Sequence, residues 1–267
     1  MSSRTYRATP GDGLAFVTGA SAGIGRATAL EIARRGFKVA VTARRAEELK
    51  ELAATFPQQI FAYPADVTQA AEVAAVIAKI ESELGPIALA FLNAGLSLHA
   101  ERDGFTAALL AKTYGVNIGG VANSLEPLLA AMSQRGRGQI AINASLAGYN
   151  GLPGSAIYGS SKAALIYMAE ALRLAYGPRG LTVQVVNHGF VRTAMTNDEK
   201  DFAQPYKIEP EVAAQLICDG FARGGFEIAF PWQLASLSKF IRALPYVLKF
   251  PLMERALSRA KLRESGQ

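Results

Sequence analysis

Thr18-Gly19-Ala20-Ser21-Ala22-Gly23-Ile24-Gly25 stands between an apolar run, Leu14-Ala15-Phe16-Val17, and a segment whose Ile24, Ala27, Leu30 and Ile32 recur at helical spacing. The run reads as a buried strand and the segment as a helix, with Gly36 placed as the residue that stops it. Glycines at 19, 23 and 25 remove side chains where the chain must turn sharply and where an anion must approach the backbone. The helix start offers unpaired N–H groups and the positive end of a dipole to that anion. Strand, glycine loop and helix in this order make a phosphate cradle, and a pyrophosphate is the anion it suits.

Working outward, strand and helix alternate. Strands are expected at 13–18, 38–43, 60–63, 87–92, 139–144, 181–186 and 226–230. Between them, helices are expected at 24–35, 47–55, 70–84, a long stretch reaching about residue 132, 157–176 and 210–223. The strands are continuous apolar runs, as in strands buried on both faces of a parallel sheet. The expected fold is therefore α/β: a doubly wound parallel sheet (Rossmann fold) of about seven strands with helices on both faces. Ligands of such sheets bind at the carboxyl ends of the strands, so the residues just after each strand carry the functional information.

Cofactor choice in a dinucleotide fold is made at the end of the second strand. An acidic residue there binds ribose hydroxyls, and a basic one accommodates a 2′-phosphate. The chain reads Val41-Thr42-Ala43-Arg44-Arg45 and has no carboxylate there. A guanidinium suits a phosphate dianion, so NADP(H) is preferred, with NAD(H) as the alternative.

Tyr158-Gly159-Ser160-Ser161-Lys162 opens a helical stretch, and positions 158 and 162 lie one turn apart on one face. A free tyrosine, with a pKa of about 10, is a poor base at neutral pH. A nearby ammonium favours the phenolate, which makes the pair a proton donor and acceptor. Ser145 ends the fifth strand, where its hydroxyl would point into the crevice. Asn117, in Gly115-Val116-Asn117-Ile118-Gly119, is an amide among apolar residues that needs a partner or a water.

The glycine pattern 18–25, Asp66-Val67, Asn93-Ala94-Gly95, Asn117, Ser145, Tyr158 and Lys162 together resemble the single-domain branch of the short-chain dehydrogenase/reductase family, over about residues 14–230. The resemblance implies catalytic roles for Asn117, Ser145, Tyr158 and Lys162. Tyr158 would be the acid/base. Lys162 would lower its pKa and hold the nicotinamide ribose, Ser145 would orient and polarise the substrate oxygen, and Asn117 would hold a relay water. It implies cofactor contacts from Gly19, Ser21, Gly23, Ile24, Gly25, Arg44, Asp66, Val67, Asn93, Ala94, Gly95, Tyr158, Lys162, Gly189, Val191 and Thr193. Asp66 and Val67 would contact the adenine, and the loop at 187–193 would cover the nicotinamide. The chain departs from the family at His188, where Pro is usual. Losing a fixed φ there loosens the start of that loop and could bring an imidazole near the site, but the favoured reading is a tolerated substitution, since Tyr158 already fills the proton-transfer role. Ala22 stands where some NADP-using relatives carry a basic residue, which leaves Arg44 as the main 2′-phosphate contact.

The implied activity is hydride transfer between nicotinamide and a carbonyl or hydroxyl carbon. The alternatives are a membrane-surface-associated reductase of lipid-like substrates and a non-catalytic nucleotide-sensing protein of the same fold. Loss of the serine, tyrosine or lysine would favour the sensor, and all three are present. The expected substrate is an apolar small-molecule carbonyl or alcohol contacted by Ser145, Tyr158, Leu96, Leu152 and Phe190, with Leu98 and Tyr149 also in the apolar lining. His99 borders the same loops.

Composition narrows the remaining classes. Half of the 267 residues are hydrophobic and 19% are charged, as in a globular chain with a core large enough to need no disulfide or metal. The single cysteine, Cys218, sits in an apolar helical pattern and reads as a core thiol. Two histidines and no CxxC give no metal site. The N-terminus has no apolar signal region and no 18-residue apolar run occurs, so the expected compartment is the cytoplasm.

Net charge is +6, and from residue 230 onward there are seven basic residues against two acidic ones. The expected organisation is a catalytic domain at 1–231, with a substrate loop at about 190–208, and a basic amphipathic extension at 232–267. Three readings of that extension stay open: a cover for the cleft or a subunit interface, a peripheral contact with anionic membrane, or a solvated appendage. No basic stripe with interleaved aromatics runs through the body, so nucleic acid is not an expected partner. A homodimer or homotetramer is expected, through the helices at 103–132 and 157–176.

Overall fold

The computed structural model describes residues 5–98, 104–193 and 204–264. His99 and residues 194–203 of the expected substrate loop lie outside them.

Seven parallel strands form one sheet: β1 (Leu14–Thr18), β2 (Val39–Thr42), β3 (Ile60–Ala62), β4 (Ile87–Leu92), β5 (Gly138–Asn143), β6 (Leu181–His188) and β7 (Glu227–Phe230). Their spatial order is β3-β2-β1-β4-β5-β6-β7. The order reverses between β1 and β4, and a crevice opens there at the carboxyl ends. Side chains alternate across β1: Leu14 and Phe16 enter one apolar layer, Ala15 and Val17 the other.

The first layer is completed by α3 (Ala70–Leu84), α5 (Gly120–Arg135) and α6 (Ala156–Tyr176), through Ile77, Ile80, Leu128, Met132 and Leu165. The second is completed by α1 (Gly23–Arg34), α2 (Ala46–Thr55) and α7 (Pro210–Arg223), through Ile32, Leu49, Leu52, Ile217 and Phe221. Cys218 is buried in this layer, and burial pushes its thiol up to about 12.

Three features differ from the expected pattern. The long helix ending near residue 132 is interrupted. It consists of α4 (Ala107–Tyr114), a π-helical turn (Gly115–Gly119) and α5. The interruption coincides with Gly115, Gly119 and Gly120, which weaken the helix from within. Secondly, β5 and β6 are not wholly apolar. Gln139 and Gln184 are buried side by side, the first donating to the second at 2.6 Å and to the Phe221 carbonyl, the second to the carbonyls of Gly220 and Gly225. Burying two amides is tolerable because their donors are matched. Thirdly, the extension forms α8 (Trp232–Ala243) and α9 (Tyr246–Glu264), with Pro245 between them and Pro251 inside α9.

Candidate active site

Thr18, at the carboxyl end of β1, organises the crevice. Its hydroxyl accepts from the main-chain N–H of Asn93 at 2.9 Å and of Ala94 at 3.0 Å. The Asn93 amide donates to the carbonyls of Thr18 and Gly19, and its oxygen accepts from Asn143 at 2.9 Å. These bonds tie the ends of β1, β4 and β5 into one rigid floor. Thr18 and Asn143 were not among the sequence candidates. Their signals were small ones, a hydroxyl directly before the glycine loop and an amide two residues before Ser145.

The glycine loop lies against that floor. A Cβ on Gly25 would meet Asn93 Nδ2 and the Gly19 carbonyl oxygen, each at 2.4 Å, so no other residue fits. Gly19 has φ +66, and a Cβ there would lie 2.7 Å from Ala94 Cα. The loop's other side approaches the segment after β6, where a Cβ on Gly23 would stand 3.0 Å from Thr193 Cγ2. Thus Gly19, Gly23, Gly25, Asn93, Ala94 and Thr193 are brought together. Ser21 and Ile24 are on the same loop.

At the end of β2 the two arginines differ. Arg45 donates from Nε and Nη2 to Ser21 Oγ, at 3.2 and 2.9 Å, and pairs with Glu48. Arg44 is exposed, and its charge adds to the cause that holds Asp66 down. The larger cause is Thr68: its N–H and hydroxyl both donate to Asp66 Oδ1 at 2.9 Å, keeping the carboxyl below the usual range. Val67 is buried against α5, where Gly120 leaves room for it and Asn123 donates to its carbonyl.

Lys162 is 2% exposed. Its Nζ donates to the Asn143 carbonyl at 2.8 Å and lies 5.6 Å from the centre of the Tyr158 ring. Desolvation pulls the ammonium down to about 8, so it keeps its proton at neutral pH. A Cβ placed on Gly95 would touch both Lys162 Nζ at 3.5 Å and Asn117 Oδ1 at 3.6 Å. That measures how closely the residues following β4, the π-turn and α6 converge.

Asn117 is completely buried. Its Oδ1 accepts from the Leu96 N–H at 2.6 Å, and its Nδ2 donates to the Leu96 carbonyl and to Ser161 Oγ at 2.9 Å. The side chain therefore clamps the loop carrying Leu96. Ser145 caps the 3₁₀ turn Leu146–Gly148, accepting from the Ala147 N–H and donating to the His188 carbonyl at 3.3 Å. Tyr158 is half-buried in the first turn of α6.

His188 is accommodated within the sheet. It is the last residue of β6, in register with Phe230, and its Nδ1 lies 2.8 Å from the Gly189 carbonyl oxygen. Desolvation pulls the imidazole down to about 4, the Gly189 carbonyl opposes this, and the Lys162 charge adds to it. The ring is held in its neutral form at pH 7. Gly189 is packed by Pro231 and Leu234, and Val191 is buried and bridged to Ile208.

Of the expected apolar lining, Leu96, Leu98, Leu152 and Phe190 are half-buried on loops at the carboxyl end. Tyr149 is a correction. It belongs to the core, with its hydroxyl donating to Glu227 Oε1 and accepting from Asn187 Nδ2 at 2.9 Å. Glu227 also accepts from Asn187 and pairs with Lys239, while Arg242 lies 5.6 Å from the Tyr149 ring centre. Asn150 donates to the Ser238 carbonyl. The loop after β5 is thereby fastened to α8.

Comparison with known proteins identifies the class to which this crevice belongs. Residues 13–204 match the family model for short chain dehydrogenase. An uncharacterized oxidoreductase of Myxococcus xanthus is 34% identical over 250 residues, 92% of this chain and 97% of that one. Carbonyl reductase family member 4 of Xenopus laevis is 32% identical, over 75% of this chain and 87% of its own. A short-chain dehydrogenase from Sphingobium yanoikuyae, solved in complex with NADPH, superposes with a TM-score of 0.74 at 26% identity, covering 88% of this chain and 97% of that one. The chain belongs to the short-chain dehydrogenase family and is an oxidoreductase of that family.

Proposed function

We propose that the protein is an NADP(H)-dependent reductase that interconverts a carbonyl and a hydroxyl on an apolar small molecule, with Tyr158 as acid/base. The observation that carries this reading is the convergence of Lys162 Nζ and Asn117 Oδ1 on Gly95, with Tyr158 one turn before Lys162.

The residues fit the cofactor. Gly19 and Gly25 leave backbone bare where a pyrophosphate needs it, and a buried ammonium invites ribose hydroxyls. Gly19, Ser21, Gly23, Ile24 and Gly25 would hold the phosphates. Arg44 would meet the 2′-phosphate while Arg45 braces Ser21. Asp66 and Val67 would flank the adenine, and Asn93, Ala94, Gly95, Gly189, Val191 and Thr193 would surround the nicotinamide end. When bound, the cofactor supplies or accepts the hydride.

Ser145 donates to the substrate oxygen, exchanging its bond to the His188 carbonyl. Tyr158 gives its phenolic proton to the same oxygen during reduction and takes it back during oxidation. The Lys162 ammonium stabilises the negative charge left on the Tyr158 oxygen. Asn117 fixes the Leu96 loop, and a water on the main chain of the π-turn returns the proton to Tyr158 through Lys162. Leu96, Leu152 and Phe190 offer an apolar substrate only dispersion and desolvation. The sister chain in the Sphingobium complex, with NADPH, supports the cofactor choice. An apolar groove between α5 and α6, lined by Leu125, Leu129, Met168 and Leu172, supports a homo-oligomer built on these helices.

Calorimetric titration of NADPH and NADH into wild type and Arg44→Ala tests the cofactor reading. A lost charge-assisted contact is worth roughly 1.5–3 kcal/mol, so NADPH affinity should fall roughly 10- to 100-fold while NADH affinity stays nearly constant. An equal loss for both cofactors would remove Arg44 from the 2′-phosphate.

A further inference from the structure

The C-terminal extension leaves most of its large apolar side chains open. On α8 the side facing the body carries Ala235, the Lys239–Glu227 pair and the Arg242–Tyr149 stack, while Trp232, Leu237 and Phe240 point outward. On α9, Lys249 is only 8% exposed. Beside it, Val247, Phe250 and Leu252 lie open. The six outward apolar side chains are between 43% and 79% exposed. Singly exposed hydrophobics need no explanation, but a group of this size on two consecutive helices marks an interaction surface.

Charge selects the occupant. Five of the extension's seven basic residues, Lys249, Arg255, Arg259, Lys261 and Arg263, are on α9, against Glu254 and Glu264. A second copy of the extension, whose sequence carries seven basic residues against two acidic ones, would set like charge against like. An anionic bilayer surface supplies the opposite charge and an apolar layer just beneath it, where Trp and Tyr rings rest at the headgroup level. No helix among the described residues is long and apolar enough to cross a membrane, so contact would be peripheral. We propose that the outward face of α8 and α9 docks on an anionic lipid surface, which would hold the crevice close to membrane-dissolved substrates. The docking does not depend on the cofactor assignment.

The test is flotation of the full chain with vesicles of phosphatidylcholine alone and with roughly one-third phosphatidylglycerol. Binding to the anionic vesicles should exceed binding to neutral ones by roughly tenfold or more and should fall steeply with salt. Arg255→Glu should weaken it by roughly fivefold or more, since each surface basic residue is worth about that factor. Phe240→Asp combined with Phe250→Asp should abolish it while leaving the melting temperature near that of wild type, because both rings are already in water. Absence of binding to anionic vesicles, or equal binding to neutral ones, would overturn the proposal. So would a concentration-dependent dimer that the double aspartate variant dissolves while vesicle binding persists, since a second copy would then be the occupant.

Discussion

Lys162 Nζ lies 5.6 Å from the centre of the Tyr158 ring, and both are carried on the first two turns of α6. The lysine is buried with the Asn143 carbonyl as its acceptor and is pulled by desolvation from 10.5 to about 8. A lysine whose folded pKa is depressed destabilises the fold wherever both states are protonated. The full cost, about 3 kcal/mol from this shift, is present below pH 8 and is relieved as pH rises from about 8 to 10.5. Lys162→Met should therefore melt higher than wild type at pH 7, by roughly 5 °C, and the difference should shrink by pH 10. Thermal melts at the two pH values check this, and a variant less stable at pH 7 would contradict it.

His188 gives the opposite edge of the pH range. Its imidazole is pulled to about 4 by desolvation, whereas the unfolded chain takes up a proton near 6.5. Between those values the unfolded state binds the proton and the native state does not, so stability falls as pH drops from about 6.5 to 4. His188→Asn should flatten the urea-unfolding free energy across that window. An unchanged slope would mean that another group governs acid sensitivity.

Glu227 joins β7 to the loop after β5 and to α8. Replacing it with alanine leaves the Tyr149 phenolic proton and one N–H of the Asn187 amide without an acceptor in the core and frees Lys239. Leaving buried polar groups unpaired costs about 1–3 kcal/mol each, so Glu227→Ala should lose roughly 2–4 kcal/mol in urea unfolding. Glu227→Gln, which keeps an acceptor oxygen, should lose less. Equal losses would show that packing, not hydrogen bonding, is what Glu227 provides.

The parts of the fold that were legible in the sequence are short-range. The glycine loop, the apolar strand runs and the spacing of Tyr158 and Lys162 each lie within about two turns of chain, where periodicity and steric rules act directly. The parts that were not legible depend on distant partners. Tyr149 reads as a pocket residue until its hydroxyl meets Glu227, 78 positions away. Gln139 and Gln184 look out of place in strands until Gln139 donates to Gln184 and Gln184 to the carbonyls of Gly220 and Gly225. The π-turn had a local signal in Gly115, Gly119 and Gly120, but a glycine cluster indicates a weakened helix without saying how it yields. The family resemblance alone points to Arg44 for the 2′-phosphate, whereas the engagement of Arg45 with Ser21 depends on a partner 24 positions away. The weak helical spacing of the extension leaves open which side of α8 turns inward, because that depends on Glu227 and Tyr149.

The central claim is that Tyr158 transfers the proton that accompanies hydride transfer to an apolar carbonyl. Its most direct test is single-turnover transfer of deuterium from 4-deuterated NADPH to a panel of apolar ketones and aldehydes, in wild type and Tyr158→Phe. Label should appear at the carbinol carbon of at least one product with wild type. The phenylalanine variant, still binding NADPH, should be slower by roughly 10²- to 10⁴-fold, as expected for loss of a positioned acid. Equal transfer rates in the two proteins would contradict the account.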